Sequence, residues 1–229
     1  MNPLQNLLPA GAHVLELPHG HLEVLIDPPQ PFQAASPDPP SSSDRKGLAV
    51  VLHPQPLLGG SARHKVPDYL AKGLAAQGWA VLRPNFRGVG QSTGVHDEGR
   101  GESDDVLALV QQLQRQHPND RLALVGFSFG AFVAARVCHA LHAAGHPPWR
   151  TGLLGMPSGE VPAGRRYDTP THLPHALVVH GELDESVPLA SVMDWARPAS
   201  QPVVVVPGAD HFFTGRLPLL RELVLNHLQ

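Results

Sequence analysis

From Leu48 to the C-terminus, short uninterrupted apolar runs alternate with longer runs of helical periodicity, and this alternation restricts the fold more than any other feature. Leu48–Leu52, Trp79–Leu82, Leu122–Val125, Gly152–Leu154, Ala176–Val179 and Val203–Val206 read as strands. Val66–Gln77, Ser103–Gln116, Ala131–Ala144, Leu189–Ala196 and Leu217–Leu228 read as helices. Strands that are apolar without alternation are buried on both faces, as in a mostly parallel sheet with helices above and below it. Two further strands are expected ahead of this region. His13–Leu17 and His21–Ile26 alternate around Pro18-His19-Gly20, the pattern of an antiparallel hairpin. At 229 residues, 1–229 is read as a single domain. It is interrupted by a Pro/Ser-rich loop at 28–46 whose composition offers little apolar surface to bury.

One strand-to-helix junction carries chemistry. Gly126-Phe127-Ser128-Phe129-Gly130 has the G-x-S-x-G pattern of a nucleophile elbow. The turn is tight enough to strain the serine backbone and to require small residues two positions away on each side. A serine hydroxyl is a weak nucleophile, so it needs a histidine to take its proton and a carboxylate to orient that imidazole. In this kind of sheet the acid precedes the histidine along the chain. Beyond Ala176–Val179, Glu182, Asp184 and Glu185 compete for the acid role. Asp184 has the best register, three residues after Gly181 and four before Pro188; the other two read as solvated charges or local anchors. His211 follows the strand Val203–Val206 and a Pro-Gly turn, whereas His180 precedes the acid loop and breaks the order. Asp210 adjoins His211 too closely to orient its ring.

An oxyanion hole needs two backbone donors. Phe129, the residue after the nucleophile, supplies one. In His53-Pro54-Gln55-Pro56, the flanking prolines have no N–H, which leaves Gln55 as the donor of the second.

His53–Pro56, Arg87–Ser92 and Gly126–Gly130 together resemble the α/β-hydrolase superfamily, in particular small bacterial hydrolases with an H-P-x-P segment and a G-F-S-F-G elbow. The resemblance runs from about residue 13 onward. It implies an α/β-hydrolase fold with an eight-stranded, mostly parallel sheet whose second strand is antiparallel, and a Ser128–Asp184–His211 triad. Many members carry a helical cap after the sixth strand, but Gly155 to His175 is too short and too rich in Gly and Pro for one. An open, shallow site is therefore expected, bordered by Leu57, Leu58, Phe127, Phe129, Phe212 and Phe213. Arg87 is expected to brace its loop through Glu98 or Glu102.

Composition sets the remaining expectations. A formal charge of −3 offers no basic field for nucleic acid. The 15 histidines are scattered without metal-ligand spacing, so neither metal nor cofactor is assigned. Cys138, the single cysteine, reads as a small buried hydrophobe. The N-terminus lacks signal-peptide character, and no apolar run approaches the roughly 20 residues that span a bilayer. A cytoplasmic serine esterase acting on a small-molecule acyl substrate is the expectation. A peptidase or amidase, a thioesterase, and a non-catalytic binding protein on the same fold are the alternatives.

Overall fold

A computed structural model describes residues 9–30, 45–162 and 164–229. Its main sheet has eight strands: β1 (Gly11–Leu17), β2 (Gly20–Asp27), β3 (Gly47–Leu52), β4 (Trp79–Pro84), β5 (Leu122–Phe127), β6 (Arg150–Leu154), β9 (Ala176–Gly181) and β10 (Val203–Val206). A separate two-stranded hairpin, β7 (Gly159–Val161) and β8 (Arg165–Tyr167), leaves the sheet between β6 and β9. The sheet order is β1-β2-β4-β3-β5-β6-β9-β10. Strand β2 runs antiparallel to both of its neighbours, and every other pairing in the sheet is parallel. This is the α/β-hydrolase architecture that the resemblance implies, and its parallel strands are those the apolar runs mark.

The helices are α1 (Lys65–Ala76), α2 (Arg100–Gln116), α3 (Phe129–Ala143), α4 (Leu189–Ala196) and α5 (Leu217–His227). Side-chain alternation along β3 distributes them between two cores. Leu48, Val50 and Leu52 face the core closed by α2, α3 and α4, while Ala49 and Val51 face the core closed by α1 and α5. All six β3 residues are buried, so the strand shows no polar phase. Cys138 is buried on α3, with the Thr151 hydroxyl 3.4 Å from its sulfur.

Local chemistry sets the element ends. The His64 side chain accepts the Val66 N–H at the start of α1, and Pro67 occupies the first turn, where its missing donor costs nothing. Helix α2 begins three residues ahead of the expected Ser103. The buried Glu102 carboxylate accepts the N–H groups of Asp97 and Gly99 (both 2.9 Å), which satisfies donors that the helix itself cannot. The Gly155–His175 segment holds the β7–β8 hairpin in place of a helical cap.

Of the Pro/Ser-rich stretch, residues 31–44 lie outside the described residues. Its flanks are pinned to the end of α1, Gln30 N–H on the Ala75 carbonyl and Lys46 N–H on the Gly78 carbonyl. Among the described residues no helix is long and apolar enough to cross a membrane.

Candidate active site

The turn from β5 into α3 holds Ser128 at φ +55°, ψ −123°, a region that a residue with a side chain enters only under strain. Close packing on both sides enforces it. A Cβ at Gly126 would collide with the Gly130 carbonyl, and one at Gly130 would lie 2.5 Å from the carbonyl oxygens of Leu52 and His53. The Ser128 N–H donates to the Leu154 carbonyl of β6 (2.8 Å), which ties the elbow to the next strand.

Loops from three strand ends converge on the hydroxyl. His211, beyond β10, lies with Nε2 2.9 Å from Ser128 Oγ and Nδ1 2.7 Å from Asp184 Oδ2. Asp184, beyond β9, is itself fixed. Its Oδ1 accepts the N–H groups of Ser186 (2.9 Å) and Val187 (2.7 Å). The carboxylate on one side assigns the proton to Nδ1 of His211, leaving Nε2 to accept from the serine hydroxyl. The loops carrying the two partners are laced together, Glu182 N–H on the Val206 carbonyl and Leu183 N–H on the Ala209 carbonyl. Glu182 serves as a local anchor, its carboxylate accepting the Gly208 N–H (2.8 Å). Asp210 turns away from the His211 ring to accept the Thr214 N–H (2.9 Å). His180 is fully buried beneath this cluster and donates from Nε2 to the Val187 carbonyl (2.8 Å); burial holds its pKa below the ordinary value.

Opposite the elbow, Pro56–Leu58 forms a single 3-10 turn capped by Gln55. Among the described residues the backbone N–H groups of Gln55 and Phe129 have no hydrogen-bond acceptor. The loop is held by His53, whose Nε2 accepts the Phe86 N–H (3.0 Å) and whose Nδ1 donates to the Pro54 carbonyl (2.7 Å). Burial lowers its pKa from 6.5 to about 3, so it is a neutral strut with one tautomer fixed.

That shift fixes a sign. Between pH 6.5 and about 3 the unfolded chain binds a proton at His53 that the folded chain refuses, so stability falls as the solution is acidified through this window. At about 1.36 kcal/mol per pK unit, the loss reaches roughly 5 kcal/mol at the low end. Urea unfolding of His53→Gln between pH 7 and 4 is expected to show a shallower pH dependence than the wild type; parallel curves would contradict the assignment.

The segment Asn85–Ser92 is structural. Arg87 braces it through a two-pronged pair with Asp105 on α2 (Nε–Oδ2 2.9 Å, Nη2–Oδ1 3.0 Å), not through Glu98 or Glu102. Glu102 is committed to backbone donors, and Glu98 is exposed.

Ser128 opens into a cavity of about 130 Å³ lined by Gln55, Leu58, His64, Tyr167, His211 and Phe212, among others. The expected apolar border is only partly correct. Leu58 and Phe212 line the cavity, and both are substantially exposed. Leu57 projects to solvent away from it. Phe213 is wholly buried in the core under α5, because the loop after His211 folds back toward that helix. Phe127, the last residue of β5, points to the same face, where its ring backs His211 at 5.3 Å and His64 at 6.0 Å. The Phe129 ring packs on Phe86 and Tyr167 in the opposite core, so only its backbone faces the site.

Sequence reasoning missed His64 and the hairpin residues Val161, Arg165 and Tyr167, which also line the cavity. Three-residue strands are too short to show a period, and Pro162 with Gly164 was the available turn signal. A larger hollow, about 740 Å³, lies at the other end of the sheet between His117–Leu122 and Leu141–Trp149. It contains none of the Ser128 cluster and sits at the amino ends of the strands, away from where open α/β sheets bind ligands.

A family model described as the alpha/beta hydrolase fold matches residues 49–141. A solved α/β serine hydrolase without a lid, from Xanthomonas campestris, is similar to this chain at 34% identity and a TM-score of 0.78, covering 97% of this chain and 95% of that one. An α/β serine hydrolase homologue from Coxiella burnetii is similar at 32% identity and a TM-score of 0.76, covering 97% and 99%. An uncharacterized protein of Rickettsia prowazekii is 34% identical over 82% of this chain and 81% of its own length. The chain belongs to the α/β-hydrolase superfamily. Its likeness to these α/β serine hydrolases supports hydrolase chemistry.

Proposed function

We propose that the protein is a serine esterase that forms an acyl-enzyme on Ser128. The observation that carries this reading is the unbroken series of contacts from Asp184 through His211 to a serine held at positive φ. As Ser128 Oγ attacks the ester carbonyl, its proton passes to His211 Nε2, and Asp184 stabilises the resulting imidazolium. The N–H groups of Gln55 and Phe129 receive the oxyanion. Collapse of the tetrahedral adduct breaks the C–O bond, and the alcohol leaves with the proton from His211. Water, deprotonated by the same imidazole, then releases the acid and restores Ser128. An ester asks less of this site than an amide, because an alcohol is expelled from the tetrahedral adduct more easily than an amine, and a cavity of about 130 Å³ suits a short acyl group better than a peptide.

Fluorophosphonate labelling tests the reading. One equivalent should attach to the Ser128 peptide of the folded protein and abolish p-nitrophenyl acetate turnover. A protein that stays unlabelled would put the non-catalytic binding alternative ahead.

The oxyanion donor can be tested separately. Gln55 has φ −52°, which proline tolerates, so Gln55→Pro removes the N–H with little backbone cost. It should lower kcat by roughly 100–1,000-fold. Gln55→Ala removes the same side chain but keeps the N–H, and should lose less than about tenfold. Equal losses in the two variants would exclude the backbone donor.

A further inference from the structure

The β7–β8 hairpin brings to the cavity of the serine a cation that pairs with no carboxylate among the described residues. Cross-strand pairing sets Val161 opposite Arg165 and Gly159 opposite Tyr167. Val161, Arg165 and Tyr167 therefore share one face, and all three line the cavity that contains Ser128 and His211. Glu160 and Arg166 occupy the other face, where Arg166 lies 3.5 Å from Asp168. Arg165 has no such partner: its Nε is buried with no hydrogen-bond acceptor among the described residues. Among the described residues no aspartate or glutamate lines the cavity. Asp184 is enclosed behind His211 and committed to it, with its side chain wholly buried. Beside Arg165, the Tyr167 hydroxyl accepts from Gln55 Nε2 (3.4 Å), which leaves its own proton available.

A sequestered guanidinium N–H without an acceptor is costly, and a carboxylate satisfies it with parallel charge-assisted hydrogen bonds. We infer that the substrate is a small ester bearing a carboxylate, which Arg165 and Tyr167 hold while Ser128 attacks the ester carbonyl. The inference rests on the esterase reading above and adds the substrate class.

The carboxylate can belong to the acid or to the alcohol portion, and paired substrates separate the two. Monoethyl glutarate against ethyl valerate reports the acid side, and 4-acetoxybenzoate against phenyl acetate reports the alcohol side. The quantity read is the ratio of kcat/KM for the charged ester to that for its neutral partner. Comparing variants with the wild type cancels intrinsic reactivity.

In one of the two pairs, Arg165→Gln should lower the ratio by roughly tenfold or more, the scale of one charge-assisted hydrogen bond. Arg165→Lys should keep part of it, since the charge stays and the fork is lost. Raising the salt from 0.05 to 0.5 M should lower the same ratio in the wild type, a readout that does not depend on any variant folding. Ratios that stay within threefold in both pairs, across Arg165→Gln and across salt, overturn the anion inference while leaving the esterase reading intact. Failure of the wild type to turn over any of the four esters in a Ser128-dependent way overturns both.

Discussion

Ser128→Ala is expected to lower kcat/KM for p-nitrophenyl acetate by roughly four to six orders of magnitude while leaving the fold in place. The two parts of this expectation have separate causes. The hydroxyl makes no capping hydrogen bond to α3, and alanine carries the same Cβ through the same strained backbone, so packing around the elbow is unchanged. Removing the oxygen deletes the proposed attacking atom, and no other described residue places a nucleophile at the same position. His211→Ala should cost a similar factor, because the hydroxyl is then left without its proton acceptor 2.9 Å away. The double variant should be little worse than either single one, since residues acting as one unit are not additive. Multiplying losses would indicate two independent contributions and contradict the relay.

Gly130→Ala should destabilise the fold strongly. The added methyl group would sit 2.5 Å from two carbonyl oxygens, those of Leu52 at the end of β3 and His53 at the start of the Gln55 loop. Both are backbone atoms, so no side-chain rotation relieves the clash. Overpacking of this kind typically costs 1–3 kcal/mol, and at a backbone-backbone contact about 3 kcal/mol or more is expected. Relief by pushing β3 and α3 apart would also separate Gln55 N–H from Phe129 N–H. Urea unfolding should therefore show a lower midpoint with an unchanged m-value, and kcat of the folded fraction should fall as well. Wild-type stability would show that the elbow is not tightly packed against β3.

Much of this was legible in the residues because two strong patterns coincide. Continuous apolar runs such as Leu48–Leu52 can be buried only in a sheet covered on both faces, and strand ends dictate where Ser128, Asp184 and His211 can meet. The two glycines of the elbow could be read as steric necessities before any coordinates. Pocket membership was less legible. Phe127 and Phe213 lie within two residues of Ser128 and His211 in sequence, yet both turn into the core beneath α1 and α5, because strand alternation and loop reversal decide direction rather than proximity. Arg87 chose Asp105 over Glu102 because Glu102 is spent on capping α2, a competition between a charge and a helix end that spacing does not reveal. The β7–β8 hairpin was hidden for a third reason. Its three-residue strands are too short to show a repeating pattern, and it contributes through a cross-strand pair, Val161 with Arg165, that exists only once the chain is folded.

Acylation of Ser128 during turnover is read by trapping the covalent intermediate. The wild-type protein is mixed with a p-nitrophenyl ester, quenched in acid within the first turnover, digested and analysed by peptide mass spectrometry. An acyl group should appear on the peptide containing Ser128, together with a burst of p-nitrophenol, and be absent from Ser128→Ala. Turnover with no acyl adduct, or an adduct carried on any other residue and retained in Ser128→Ala, would contradict an acyl-enzyme on Ser128.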